Sequence, residues 1–213
     1  MKSHTAELNK ITEVNNKWGI CGFVSVLAAM YDNDLGFKGI MNEIEKKNHY
    51  KTRIIAEMSS YLSMLEADNN KLLTEVRVFT STFGDIYNIA DNKTFIELTQ
   101  QYARLVDKVL EARKRGEEIS LDELHEFGIA MTPDSVQDYL YRMHNIKSNH
   151  VEDSKNIICG CYAKNDPNKK LKHWIYVNGQ GKVFTWGKEY ISLNEFEKNK
   201  GYSKLYGIKP IFK

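Results

Sequence analysis

An α+β fold follows from two observations on the sequence. Apolar residues recur at helical spacing through the early part of the chain. They alternate at strand spacing after about residue 155, so the period drops from about 3.6 to about 2. Helices first and hairpin-linked strands afterwards give an N-terminal helical part followed by a C-terminal antiparallel sheet. The 213 residues suit one domain, 1–213, with about 50–145 as a helical lobe or insertion.

The elements follow in order. Residues 21–31, CGFVSVLAAMY, are apolar nearly all round and read as a buried helix. Residues 52–66 set Ile54, Ile55, Met58, Tyr61, Leu62 and Leu65 at three- and four-residue spacing, an amphipathic helix. Residues 93–115 repeat that pattern, closed by the charged run EARKRGEE. Thr132-Pro133-Asp134 is a helix start, with a hydroxyl at the N-cap, proline at N1 and an acid in the first turn. IICGCYA (157–163), HWIYVN (173–178) and KVFTW (182–186) read as strands, the last two joined by a tight turn at Gly179–Gly181. SLNEFEKNKG reads as a short serine-capped helix, and LYGIKPIF as a closing strand that Pro210 assigns to a sheet edge.

Bulk properties narrow the function classes. Net charge is +2, too balanced for nucleic-acid binding by bulk electrostatics. No apolar run reaches the length of about 18 residues that a membrane span needs. The first residues, MKSHTAELNK, show no signal-peptide core, which predicts synthesis in the cytoplasm without a classical signal. Three cysteines do not make a disulfide framework.

The chemistry centres on Cys21. It stands where a polar segment meets an apolar helix, between Gly19 and Gly22. Free N–H groups and the positive dipole end of a helix start favour thiolate, the nucleophilic form. The two glycines are expected to leave room for a substrate backbone. A nucleophilic thiol wants a base, and His173, opening a strand beside a charged loop, is the strongest of six histidines. His4, His49 and His150 lie in polar segments, and His125 and His144 on helical patterns. Cys159 and Cys161 point to one face of a strand and read as buried thiols rather than half of a zinc site. Trp174, Tyr176, Phe184 and Trp186 read as alternating core packing. Lys169, Lys170 and Lys172 make a basic loop able to steer an acidic substrate.

WGICGFVSVLAAMY with HWIYV far downstream resembles the papain-like cysteine peptidase superfamily, in which a helix-borne cysteine precedes a strand-borne histidine. The resemblance covers the two ends of the chain and leaves about 50–145 unmatched. It implies a papain-like fold, Cys21 as nucleophile and His173 as base. It also implies Asn15, six residues before the cysteine, as an oxyanion donor beside the Cys21 N–H, where the family uses glutamine. The family sets Asp or Asn on the strand after the histidine. Here that strand reads GKVFTWG. A three-residue loop would place Thr185 opposite His173 as a weak orienting acceptor, and a two-residue loop would place Trp186 there to pack over the ring.

The expected function is thiol attack on an amide or related carbonyl of a protein substrate, with no cofactor or metal. Protease, glutamine deamidase and acyltransferase stay open. So does the setting, for which the resemblance suggests a bacterial effector or toxin secreted into a host or target cell. The alternatives are a catalytically inactive papain-like fold serving as a protein-binding module, and an interaction protein with no site.

Overall fold

A computed structural model describes residues 4–16, 19–46, 50–68, 70–83, 115 and 128–212. The expected helix over 93–115 lies outside the described residues, apart from Arg115.

The fold is α+β. Its helical part holds α1 (His4–Glu13), a 3₁₀ turn (Val14–Asn16), α2 (Cys21–Asn33), α3 (Leu35–Lys46), α4 (Tyr50–Ala67), α5 (Lys71–Ser81) and α6 (Pro133–His144). Then come β1 (Lys147–Val151), β2 (Ile157–Ala163), β3 (Leu171–Val177), β4 (Val183–Thr185), β5 (Lys188–Tyr190), α7 (Leu193–Lys200) and β6 (Tyr202–Ile211). The strands make one sheet in the order β1-β6-β2-β3-β4-β5, antiparallel at every pairing.

Capping sets the helix starts. The Thr132 hydroxyl accepts from Ser135 N at 3.2 Å with Pro133 behind it, and the Ser192 hydroxyl accepts from Glu195 N at 3.2 Å. Helix α2 lies in the core, with Phe23, Val26, Leu27, Ala28 and Ala29 fully buried. Each large apolar side chain so buried contributes about 1.5–3 kcal/mol. Helix α4 turns Ile54, Met58, Tyr61, Leu62 and Leu65 inward, the stripe expected from spacing.

The sheet separates two cores. On one face Ile158, Trp174, Tyr176, Phe184 and Ile208 pack against the helical layer. On the other, Ile157, Cys159, Cys161, Ile175, Val177 and Val183 pack with Phe196 of α7. The pleat produces this division, because neighbouring residues of a strand point to opposite faces.

One expectation at the sheet margins is corrected. Strand β6 is not an edge: β1 pairs along it, with Pro210 opposite Ser148. Proline is tolerated because Ile158 pairs with Ile208, so β2 has ended before it reaches Pro210 on the other flank. The β3–β4 turn is the tight one expected over Gly179–Gly181, with Gly181 at φ 83°. Asn178 and Lys182 close it, Asn178 N donating to Lys182 O at 2.9 Å. The Asn178 side chain caps it, accepting from Gln180 N at 3.0 Å and Lys182 N at 2.9 Å.

Candidate active site

Cys21 is the first residue of α2 and half-buried. Its thiol accepts the N–H of the peptide joining His173 to Trp174, at 3.4 Å. That N–H is free because β4 pairs with β3 only at Tyr176↔Phe184 and Val177↔Val183. The edge of β3 is therefore open at Trp174, and the start of α2 occupies the opening.

Gly22 serves packing, against the expectation that it leaves space for substrate. A Cβ on Gly22 would lie 2.8 Å from Met131 Cβ, so the helix start can close on that side chain only without one. Gly19 bridges to Gly128, and its carbonyl accepts Ile129 N at 3.0 Å. Met131 in turn takes the Trp174 indole N–H on its carbonyl at 2.9 Å. Segment 128–131 thus fastens the helix start to β3, a contact that sequence spacing did not signal.

His173 is the third residue of β3 rather than its opening residue, and it is 4% exposed. Val183 pairs with Val177, which sets the register so that Thr185 falls beside Ile175, not opposite His173. Thr185 still reaches the ring on the diagonal: His173 Nε2 and Thr185 Oγ1 are 2.8 Å apart. The His173 ring also stacks on Trp186, with centroids 4.0 Å apart and planes 5° from parallel. Tyr202 stands on another side at 5.8 Å. The two partners weighed as alternatives, Thr185 and Trp186, therefore both engage the imidazole.

Trp186 reaches His173 from an unusual backbone. It and Gly187 are the two turn residues between Thr185 and Lys188, with φ of 49° and 70°. Both positive values are what a two-residue hairpin turn of matching twist requires. Helix α1 supports this turn, since Gly187 N donates to Thr12 Oγ1 at 3.2 Å.

Asn15 sits in the 3₁₀ turn before α2, and its Oδ1 accepts Ile20 N at 3.0 Å. The amide oxygen thus ties the approach loop to the helix start. This leaves Nδ2 as the end of the side chain able to donate to a ligand.

The electrostatics reverse one expectation. The N–H groups of Trp174, Gly22 and Cys21 favour thiolate, yet burial outweighs them and pushes the Cys21 thiol up to about 11. Burial holds His173 down at about 3. The resting pair is a neutral thiol and a neutral imidazole. None of the hydrogen bonds at the thiol comes from the His173 ring.

The remaining sequence candidates fall elsewhere. Cys159 and Cys161 are fully buried, their sulfurs 3.8 Å apart. Among the described residues no three His, Cys, Asp or Glu side chains are grouped to hold a metal ion. His4 bonds Asp32 at 2.5 Å, and His144 is buried between Phe37 and Tyr139, 3.6 Å from Glu57. Among the described residues no helix is long and apolar enough to cross a membrane. No protein-family model matches the chain, and no curated protein or solved structure does.

Proposed function

We propose that the chain is a papain-like thiol enzyme acting on an amide or related carbonyl of a protein substrate. The observation that carries this reading is the seat of the Cys21 thiol. It stands at a helix start, on the peptide that joins His173 to Trp174. His173 Nε2 and Thr185 Oγ1 are within hydrogen-bond distance, and in the proposed tautomer Nε2–H donates to the hydroxyl, so that Nδ1 carries the free lone pair. Because the resting pair is neutral, proton transfer belongs to the attack itself. His173 takes the thiol proton as sulfur bonds to the carbonyl carbon, and the Cys21 N–H and Asn15 Nδ2 receive the oxyanion. Departure of the amine or alkoxide, protonated by His173, leaves an acyl-thioester that water or an acceptor amine resolves. The proposed setting, a bacterial effector or toxin, rests on the resemblance alone.

A second reading has its own support. A neutral pair with no thiol–imidazole hydrogen bond also suits an inactive fold used as a protein-binding module. An activated ester, p-nitrophenyl acetate, separates the two. The enzyme reading expects an acetyl group on Cys21 by mass spectrometry, absent in Cys21→Ser. It also expects formation at least about a hundredfold slower in His173→Ala. Equal acetylation of wild type and His173→Ala would sink it in favour of the module.

A further inference from the structure

Six lysines share the end of the sheet at which the candidate site lies. Lys164, Lys169, Lys170 and Lys172 belong to the β2–β3 connection and the start of β3, and Lys198 and Lys200 to the last turn of α7. The topology brings these segments together. Ala163 pairs with Tyr202, Lys164 N bonds Gly201 O at 2.8 Å, and Tyr162 pairs with Leu171. Cys21 meets the same end of β3 at Trp174 N.

Three of these cations are seated on aromatic faces. Lys169 Nζ lies 5.8 Å from the centroid of Tyr162, Lys172 Nζ 5.3 Å from that of Phe83, and Lys200 Nζ 5.6 Å from that of Trp186. The Lys200 contact reaches the indole that stacks on His173. Among the described residues none of the six forms an ion pair. The carboxylates nearby keep their charge but are fewer than the six lysines and bond backbone N–H groups rather than the lysine heads. Asp166 accepts the N–H groups of Asn168 and Lys170, and Glu197 accepts Lys204 N. Glu13, beside Gly187, stays exposed. On a chain whose net charge is only +2, this is a concentration of positive charge at one place. Such a collar draws negative charge to the site and raises its local concentration.

We infer that the site takes an acidic polypeptide segment, its carboxylates held by the lysine collar while a backbone carbonyl or side-chain amide lies at Cys21. This substrate class rests on the thiol-enzyme reading; the collar itself does not.

The test uses the full chain as Cys21→Ala. The probes are a fluorescein-labelled Glu-rich peptide, its Gln counterpart, and a single-stranded oligonucleotide of equal charge, read by anisotropy at low and physiological salt. The Glu peptide is expected to bind at least about tenfold tighter than the Gln peptide. Lys170→Gln/Lys172→Gln should weaken it by roughly three- to tenfold. Lys147→Gln/Lys155→Gln, two exposed lysines outside the collar, should leave it unchanged. Equal affinity for both peptides, equal loss in both double variants, or tighter binding of the oligonucleotide each overturn the inference. The ester experiment on wild type reports separately. Acetylation of Cys21 without peptide preference keeps the enzyme and removes the acidic substrate. Peptide preference without His173-dependent acetylation keeps the acidic partner and removes the enzyme.

Discussion

The imidazole of His173 lies flat on the indole of Trp186, ring centroids 4.0 Å apart. Holding that indole in place sets a bulky residue in the left-handed region, at φ 49°, which costs roughly 1–2 kcal/mol. Contacts with His173, Phe196 and Tyr202 on the α7 face offset it.

Trp186→Ala removes the cover from the ring. The His173 pKa should climb from about 3 towards its ordinary 6.5, which an NMR titration of the ring protons reads directly. Trp186→Phe keeps an aromatic face and should keep the depression. Stability should fall by about 2–4 kcal/mol in the alanine variant, less than for a fully buried tryptophan. An unchanged titration in Trp186→Ala would assign the depression to other neighbours.

Thr185 is the only described side chain that hydrogen-bonds the His173 ring, and both residues are buried. Thr185→Val keeps the shape and strands a ring nitrogen, at a cost of about 1–3 kcal/mol. Thr185→Ser keeps the hydroxyl and should recover most of this in urea denaturation. If valine is as stable as threonine, the contact contributes nothing. In the enzyme reading Thr185→Val should also lower the rate of Cys21 acetylation, through a mispositioned His173.

Much of this was legible in the sequence for physical reasons. The helix at Cys21, the stripe of α4, the Thr132 cap and strands β2 to β4 follow from periodicity and local hydrogen bonding, which act within a few residues. The His173 partners were narrowed to Thr185 and Trp186 because hairpin register links residues across one turn. The register itself was missed: the three-residue turn is closed by Asn178 and Lys182, which sets Ile175 rather than His173 across from Thr185. Strands β1 and β5 were missed as well: β1 is polar and mostly exposed, and β5 has three residues. Gly22 could not announce Met131, and Cys21 could not announce its burial, because both depend on what distant segments bring to the same place.

Acid should destabilise the fold through His173. Its folded pKa is about 3 against an ordinary 6.5, so above 6.5 neither state binds the proton and the stability is fully present. Between those values the unfolded chain binds more protons than the folded one. Stability then falls by up to about 1.4 kcal/mol per pH unit. The loss is complete once pH has dropped through about 3. His144, also lowered by burial, acts in the same direction. Urea midpoints at pH 7.5 and 5 should therefore drop more in wild type than in His173→Gln. Parallel drops would mean that His173 is protonated in the folded protein at pH 5.

The reactivity of Cys21 tests the balance between burial and the helix start. With the thiol near 11, alkylation by iodoacetamide should be slow at pH 7. It should gain about tenfold per pH unit with no plateau near the ordinary thiol range of about 8.5. In urea the same cysteine should plateau in that range. Mass spectrometry of the Cys21 peptide gives both curves. A plateau below pH 7 in the folded protein would mean that the N–H groups of Cys21, Gly22 and Trp174 outweigh burial and hold a thiolate. In that case the same curve on His173→Ala decides whether the imidazole is its counter-ion. A plateau that moves up by more than a unit makes it one, and an unmoved plateau leaves the helix start as the whole cause.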